Sequence, residues 1–128
     1  MHSANKKTIL VVEDNPSLNK LIVLELKEAG CNVILAENAE KALEFLRMRK
    51  PDLIWLDIYL PSMDGFQFLK YLREDPETKD MKVVVVSVSG SNSKMDLAKE
   101  FNILNYFVKS NYRLDELVKE VLSVMNRG

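Results

Sequence analysis

Three carboxylates, a hydroxyl and an ammonium recur at matched places along this chain of 128 residues. Glu13 and Asp14 directly follow the apolar run Ile9 to Val12, and Asp57 follows Leu53 to Leu56. Ser87 closes a run of four valines, and Lys109 follows Tyr106, Phe107 and Val108. Carboxylates gathered within a few ångströms cannot all stay ionised without a counter-charge, because each raises the pKa of the next. A divalent cation resolves that conflict. All-oxygen ligands favour a hard ion, and Mg²⁺ suits a site that supplies a few carboxylates and keeps several waters; Mn²⁺ accepts the same donors. An anion bound beside such an ion would find a cation in Lys109 and a hydrogen-bond donor in Ser87, an arrangement that stabilises a phosphoryl group.

Whether these groups meet depends on the elements that carry them. Short β-branched apolar runs at 8–12, 32–35, 53–56, 83–88 and 105–108 alternate with longer amphipathic stretches, without a linker or low-complexity segment. The runs are apolar at nearly every position, as parallel strands covered by helices on both faces should be. Asn15 and Pro16 form a capping and first-turn pair, and Leu18, Leu21 and Ile22 make an apolar stripe ending near Gly30. Ala39, Ala42, Leu43 and Leu46 repeat the spacing before Pro51, and Phe66, Leu69 and Leu72 do so before Asp75 and Pro76. The stretch 94–101 is ragged, with Met95, Leu97, Ala98 and Phe101 after a flexible segment, Ser89 to Ser93. The last is the most regular: Leu114, Leu117, Val118, Val121, Leu122 and Met125. The expected fold is α/β: a doubly wound five-stranded parallel sheet with five helices in a three-layer sandwich and right-handed crossovers. Ligands in such sheets bind outside the carboxyl ends of the strands. In the order 2-1-3-4-5 the second run, which offers only Glu37 beyond Ala36, is an edge. The other four then bring their end groups side by side into one shallow pocket.

Composition narrows the function classes. At 47% hydrophobic and 29% charged the chain suits one globular domain, read as a tail over 1–7 and a domain over 8–126, with no output domain. The 18 Lys and Arg against 19 Asp and Glu leave a net charge of −1, which gives no basic field for nucleic acid or an anionic membrane. Cys31, the single cysteine, excludes an internal disulfide and a cysteine-rich zinc site. The run at 9–12 is too short for a signal-peptide core or a membrane span, so the expected location is cytoplasmic, without membrane insertion. His2, Ser3 and Ala4 carry no expected role. Trp55 and Cys31 are read as core. Asp64 is assigned the turn before the third helix, Gly65 a positive φ, and Asp115, Glu116, Lys119 and Glu120 a solvated face.

The segment Asp57, Ile58, Tyr59, Leu60, Pro61, Ser62, Met63, Asp64, Gly65, taken with Glu13, Asp14, Ser87 and Lys109, resembles the receiver domain of bacterial two-component response regulators, of the stand-alone CheY-like type. The likeness runs from Lys7 to Met125 and rests on the ordered set of five positions, each element of which is common alone. The resemblance implies that Asp57 accepts a phosphoryl group from a histidine kinase, a histidine phosphotransfer protein or a small acyl phosphate. It implies Mg²⁺ held by Asp14, Asp57 and the main-chain carbonyl of Tyr59, with Glu13 acting largely through water. Lys109 would pair with phosphoryl oxygens, Ser87 would be the hydroxyl that moves toward them, and Tyr106 the aromatic switch that turns inward with it. The signal would emerge on the fourth helix, fifth strand and fifth helix, toward a target protein, in a monomer or a phosphorylation-dependent dimer. No enzymatic turnover is implied beyond self-phosphorylation and slow self-dephosphorylation.

Two positions depart from the family pattern. Lys109 is followed by Ser110, where the family has a proline in a cis bond, and the loop looks one residue longer. A cis bond before a non-proline costs ~2.5–4 kcal/mol, so a trans bond and a rerouted loop are expected. Val88 stands where a smaller residue is usual. A flavin or nucleotide binder is a poor alternative, because Glu13 and Asp14 would repel its phosphate. A phosphohydrolase would need a second acid or base near Asp57, where Tyr59 stands. A receiver-like docking module that binds partners without phosphorylation is the remaining alternative. If Val88 narrows the approach to Asp57, Val88→Ala should speed both phosphorylation and dephosphorylation, and unchanged rates for both would dismiss that role.

Overall fold

In the computed structural model, which describes residues 6–88 and 90–127, every apolar run forms a strand and every amphipathic stretch a helix. The order is β1 (Thr8–Val12), α1 (Pro16–Glu28), β2 (Asn32–Ala36), α2 (Ala39–Met48), β3 (Leu53–Leu56), α3 (Gly65–Glu74), β4 (Val83–Ser87), α4 (Asn92–Lys99), β5 (Asn105–Val108) and α5 (Leu114–Arg127). The sheet is parallel in the order β2-β1-β3-β4-β5. His2, Ser3, Ala4 and Ser89 lie outside the described residues.

Burial follows from the double coverage. The side chains of Ile9 to Val12, Leu53 to Leu56 and Val83 to Val86 are all fully buried. On one face Ile9, Val11, Trp55, Val84 and Val86 pack with Ile22 and Leu26 of α1 and Leu117, Val118 and Val121 of α5. On the other, Leu10, Ile54, Leu56 and Val85 pack with Ala42 and Leu46 of α2, Phe68 and Leu72 of α3, and Ala98 of α4. Alternation of side chains along each strand sorts them between these two layers. Cys31 and Trp55 are core residues as expected, and burial pushes the Cys31 thiol up.

The helix ends are set by local chemistry. The Asn15, Asn38, Asp64 and Ser91 side chains each accept a hydrogen bond from a backbone N–H of the first turn, and Pro16 stands where no donor is needed. Asp64 and Gln67 complete a reciprocal capping box at α3. The Ser91 cap starts α4 at Asn92, two residues before the ragged stripe suggests, and the helix then ends at Lys99.

Three expectations are corrected. Leu21 is 52% exposed and Leu24 53%; the inner face of α1 is Asn19, Ile22 and Leu26. The leucines of α1 span more than one face, so spacing alone does not say which face is inward. Gly65 does not have a positive φ; in this loop that conformation belongs to Ser62, at 67°. What Gly65 provides is closeness: a Cβ there would lie 2.6 Å from Ile58 Cα, where the Gly65 N–H meets the Ile58 carbonyl at 2.8 Å. β4 also stops at Ser87, so Val88 belongs to the following loop.

Because the atom that a new methyl would strike is backbone, Gly65→Ala should cost about 2 kcal/mol or more. Leu21→Ala, on an exposed face, should cost under about 0.5 kcal/mol. Urea unfolding of both variants checks the contrast.

Candidate functional site

The site grows out of the strand ends. The Glu13 N–H donates to the Ala36 carbonyl (3.1 Å) and the Asp57 N–H to the Val12 carbonyl (3.1 Å), so both residues extend the ladder one step beyond the strands. Their backbones are therefore fixed, and their side chains are almost fully buried: Glu13 is 1% exposed and Asp57 5%. Asp14 is exposed. One carboxylate oxygen from each of Glu13, Asp14 and Asp57 lies within 4.8 Å of the others.

Partners fix each group. Lys109 Nζ is 2.7 Å from Glu13 Oε1 and 3.4 Å from Asp57 Oδ2, and the lysine side chain is mostly buried. Glu13 Oε2 accepts the Asn15 N–H at 3.1 Å, and Asp57 Oδ1 accepts the Tyr59 N–H at 3.0 Å. The buried Asn19 amide donates to the Glu13 carbonyl at 3.4 Å. One ammonium thus faces three carboxylates. Asp57 is pushed up to about 7, first by burial; Lys109 lowers it and the charges of Glu13 and Asp14 raise it.

Ser87 is 0% exposed, and among the described residues its Oγ has no hydrogen-bond partner. It lies at the carboxyl end of β4, opposite Val108 and one residue from Lys109. Tyr106, opposite Val85, is 5% exposed and belongs to the same layer as α3 and α4. Val88 is 61% exposed. No described peptide bond is cis, and after β5 the chain makes one 3₁₀ turn over Lys109–Asn111, closed by the Tyr112 N–H on the Lys109 carbonyl at 3.3 Å.

Two contacts escape a reading of spacing. Lys94 Nζ stands 4.1 Å from the centre of the Tyr59 ring, a cation–π contact joining the first turn of α4 to the loop after Asp57. Gly90 lies against Tyr106: a Cβ there would be 3.0 Å from the ring and 3.0 Å from Val108. Neither partner precedes the other at a recognisable interval, since one contact joins α4 to the loop after β3 and the other joins the loop after β4 to β5.

The arrangement has the donor set of a hard-cation site, with an ammonium and an unpartnered hydroxyl beside it. The sequence profile of the response regulator receiver domain matches residues 9–122. The chain belongs to that family. The receiver is 31% identical over 121 residues to the phosphate regulon transcriptional regulatory protein PhoB of Pseudomonas aeruginosa, covering 94% of the chain and 52% of PhoB, so it spans about half the length of that relative. It is 30% identical over 101 residues to protein PilH of the same organism, covering 79% of the chain and 84% of PilH. The Mn²⁺-bound form of the response regulator Rcp1 superposes with a TM-score of 0.82 at 28% identity, covering 91% of the receiver and 92% of Rcp1. No helix among the described residues is long and apolar enough to cross a membrane.

The raised Asp57 pKa has a consequence for stability. A carboxyl that binds its proton more tightly when folded loses stabilising effect as pH rises from about 4 through about 7. In metal-free buffer Asp57→Asn should therefore stabilise the receiver by a few kcal/mol at pH 8 and by little at pH 4. Urea unfolding with a chelator present at both pH values measures it.

Proposed function

We propose that this receiver accepts a phosphoryl group on Asp57 and uses it to change its affinity for another protein. The observation that carries the reading is Ser87, a fully buried hydroxyl without a partner among the described residues, on the strand next to that of a carboxylate that the Lys109 ammonium already reaches. Buried donors are rarely left unpaired, so an orphan beside a cationic site suits an anion that arrives during function. The acid cluster is the natural place for Mg²⁺ or Mn²⁺, with Asp14, Asp57 and the Tyr59 carbonyl as ligands and Glu13 acting through water. The Mn²⁺-bound form of Rcp1 supports that choice. When bound, the divalent cation supplies positive charge that offsets the carboxylates and the incoming phosphoryl oxygens.

The residues then divide the work. An Asp57 oxygen attacks phosphorus; a P–O bond forms and the P–N bond of a phosphohistidine donor breaks, the imidazole leaving with the electron pair and taking a proton from solvent. With an acyl phosphate the bond that breaks is P–O and the leaving group is a carboxylate. The Tyr59 N–H holds one oxygen of Asp57 so that the attacking carboxylate is oriented beforehand. Lys109 turns from Glu13 and Asp57 toward the phosphoryl oxygens, and Ser87 donates to another of them.

The output follows from what lies behind Ser87. Tyr106 and Gly90 sit in the layer that Ser87 faces, so recruitment of the hydroxyl moves the β4–α4 loop and, with it, the surface of α4, β5 and α5. A target protein that prefers that placement shifts the population toward it. The donors are a sensor histidine kinase or a histidine phosphotransfer protein. Self-phosphorylation by acyl phosphates and slow self-dephosphorylation are the only reactions this domain performs in the reading.

Intact mass after incubation with acetyl phosphate tests it. One added phosphoryl group should form with Mg²⁺, and none without it or in Asp57→Asn; Lys109→Ala should slow the reaction by about two orders of magnitude or more. Absence of an adduct from acetyl phosphate and from phosphorylated histidine kinases alike would favour a docking module that binds partners unphosphorylated.

A further inference from the structure

Among the described residues β2 is the open edge of the sheet, with β1 on one side and no strand on the other. Its pairing with β1 uses alternate residues: the Asn32 N–H donates to the Lys7 carbonyl at 2.9 Å, and the Ala36 carbonyl accepts the Glu13 N–H at 3.1 Å. Backbone groups alternate sides along a strand, so Asn32, Ile34 and Ala36 turn toward β1 and the N–H and C=O of Val33 and Leu35 turn outward. An edge of this kind is a template for another strand.

Two grooves flank that edge and differ in chemistry. One, of about 590 Å³, is lined by Lys6, Lys27 and Arg49 beside Val33, with no acidic residue in its wall. None of these three cations forms an ion pair among the described residues. The other groove, of about 670 Å³, is lined by Leu35, Phe45 and Met48, which is 76% exposed, with Lys41, Glu44 and Arg47 in its wall. A second copy of this chain paired in parallel along β2 would set Lys27 and Arg49 against their own kind, and one paired antiparallel would set them against Lys41 and Arg47 as well as Glu44. An acidic partner meets them with opposite charge.

We propose that the β2 edge accepts an extended segment of a partner protein, added as a sixth strand, with acidic residues at the end beside Asn32 and apolar ones at the end beside Ala36. The two grooves follow one another along β2, the basic one beside Asn32 to Ile34 and the other beside Ile34 to Ala36. Acidic residues would reach Lys27 and Arg49, and apolar ones Phe45 and Met48. Main-chain hydrogen bonds to Val33 and Leu35 supply the pairing, and the separation of charge from apolar surface along the strand supplies the selectivity. This edge runs alongside β1, away from β4 and β5, so its occupation does not depend on phosphorylation of Asp57.

The test uses the whole chain and labelled seven-residue peptides flanked by Gly, with Glu at one end and Val at the other, in both orders. Binding should slow hydrogen exchange at the Val33 and Leu35 amides and leave that of Ile34, already paired with β1, unchanged. Lys27→Glu combined with Arg49→Glu should weaken binding about tenfold or more, and added salt should do the same. Leu35→Pro removes an outward N–H without touching the β1 pairing, and should abolish binding. If Leu35→Pro does not fold, the double charge reversal decides alone. No protection at Val33 and Leu35, or equal binding of a peptide in which Lys replaces Glu, would overturn the proposal. So would binding to anionic phospholipid vesicles with no peptide protection, which would make the basic end a lipid-facing patch.

Discussion

The Lys109 ammonium, 2.7 Å from Glu13 and 3.4 Å from Asp57, is the counter-charge on which the acidic pocket depends. It reaches them because β5 ends beside β4, β4 beside β3 and β3 beside β1, so four strand ends share one rim. β3 and β4 are buried along their whole length and β1 at all but its first residue, which leaves no cheap way for the rim to spread. Unit charges a few ångströms apart interact by several kcal/mol at an effective dielectric near 20. The fold therefore holds an arrangement that the isolated residues would not adopt. Burial raises the Asp57 pKa first, and one positive charge among three negative ones does not bring it back down. A divalent cation and a phosphoryl dianion are together close to what that imbalance and the Ser87 hydroxyl call for.

On the proposed function, transmission has the same origin. Ser87 is the point where the pocket meets the layer of α3 and α4, since it lies at the end of a strand whose alternate residues serve the two faces. Around it the packing is light. α4 buries only Ala98, against four or five residues for α3 and α5. Its first turn rests on Tyr59 through Lys94, while Arg73 of α3 donates to the carbonyl of Phe101 just past its end at 2.7 Å. A helix with few buried residues, secured at its ends, is the element that can shift at low cost when the Ser87 hydroxyl is recruited.

Much of this was legible in the residues. Strands covered on both faces are apolar throughout, so 8–12, 53–56 and 105–108 were readable to the residue, and a polar group directly after such a run can only stand at its mouth. Glu13, Asp14, Asp57 and Lys109 were found in that way and Ser87 inside a run read one residue too long, and the structure brings Glu13, Asp14, Asp57 and Lys109 together with Ser87 on the adjoining strand end. What spacing could not show was anything decided between elements. The buried face of α1 depends on where β1 and α5 lie, which is why Leu21 was misplaced. Gly65 is required by the approach of Ile58, a contact between the two ends of one loop, rather than by its own φ. Lys94 on Tyr59 and Gly90 under Tyr106 join segments that only the assembled sheet brings together.

The central claim is that Asp57 is a frustrated carboxylate awaiting positive charge, and direct titration of its carboxyl carbon by ¹³C NMR tests it most directly. Without divalent cation the group should titrate near 7, and with saturating Mg²⁺ it should remain ionised well below that pH. Titration near 4 that Mg²⁺ leaves unmoved would contradict the account.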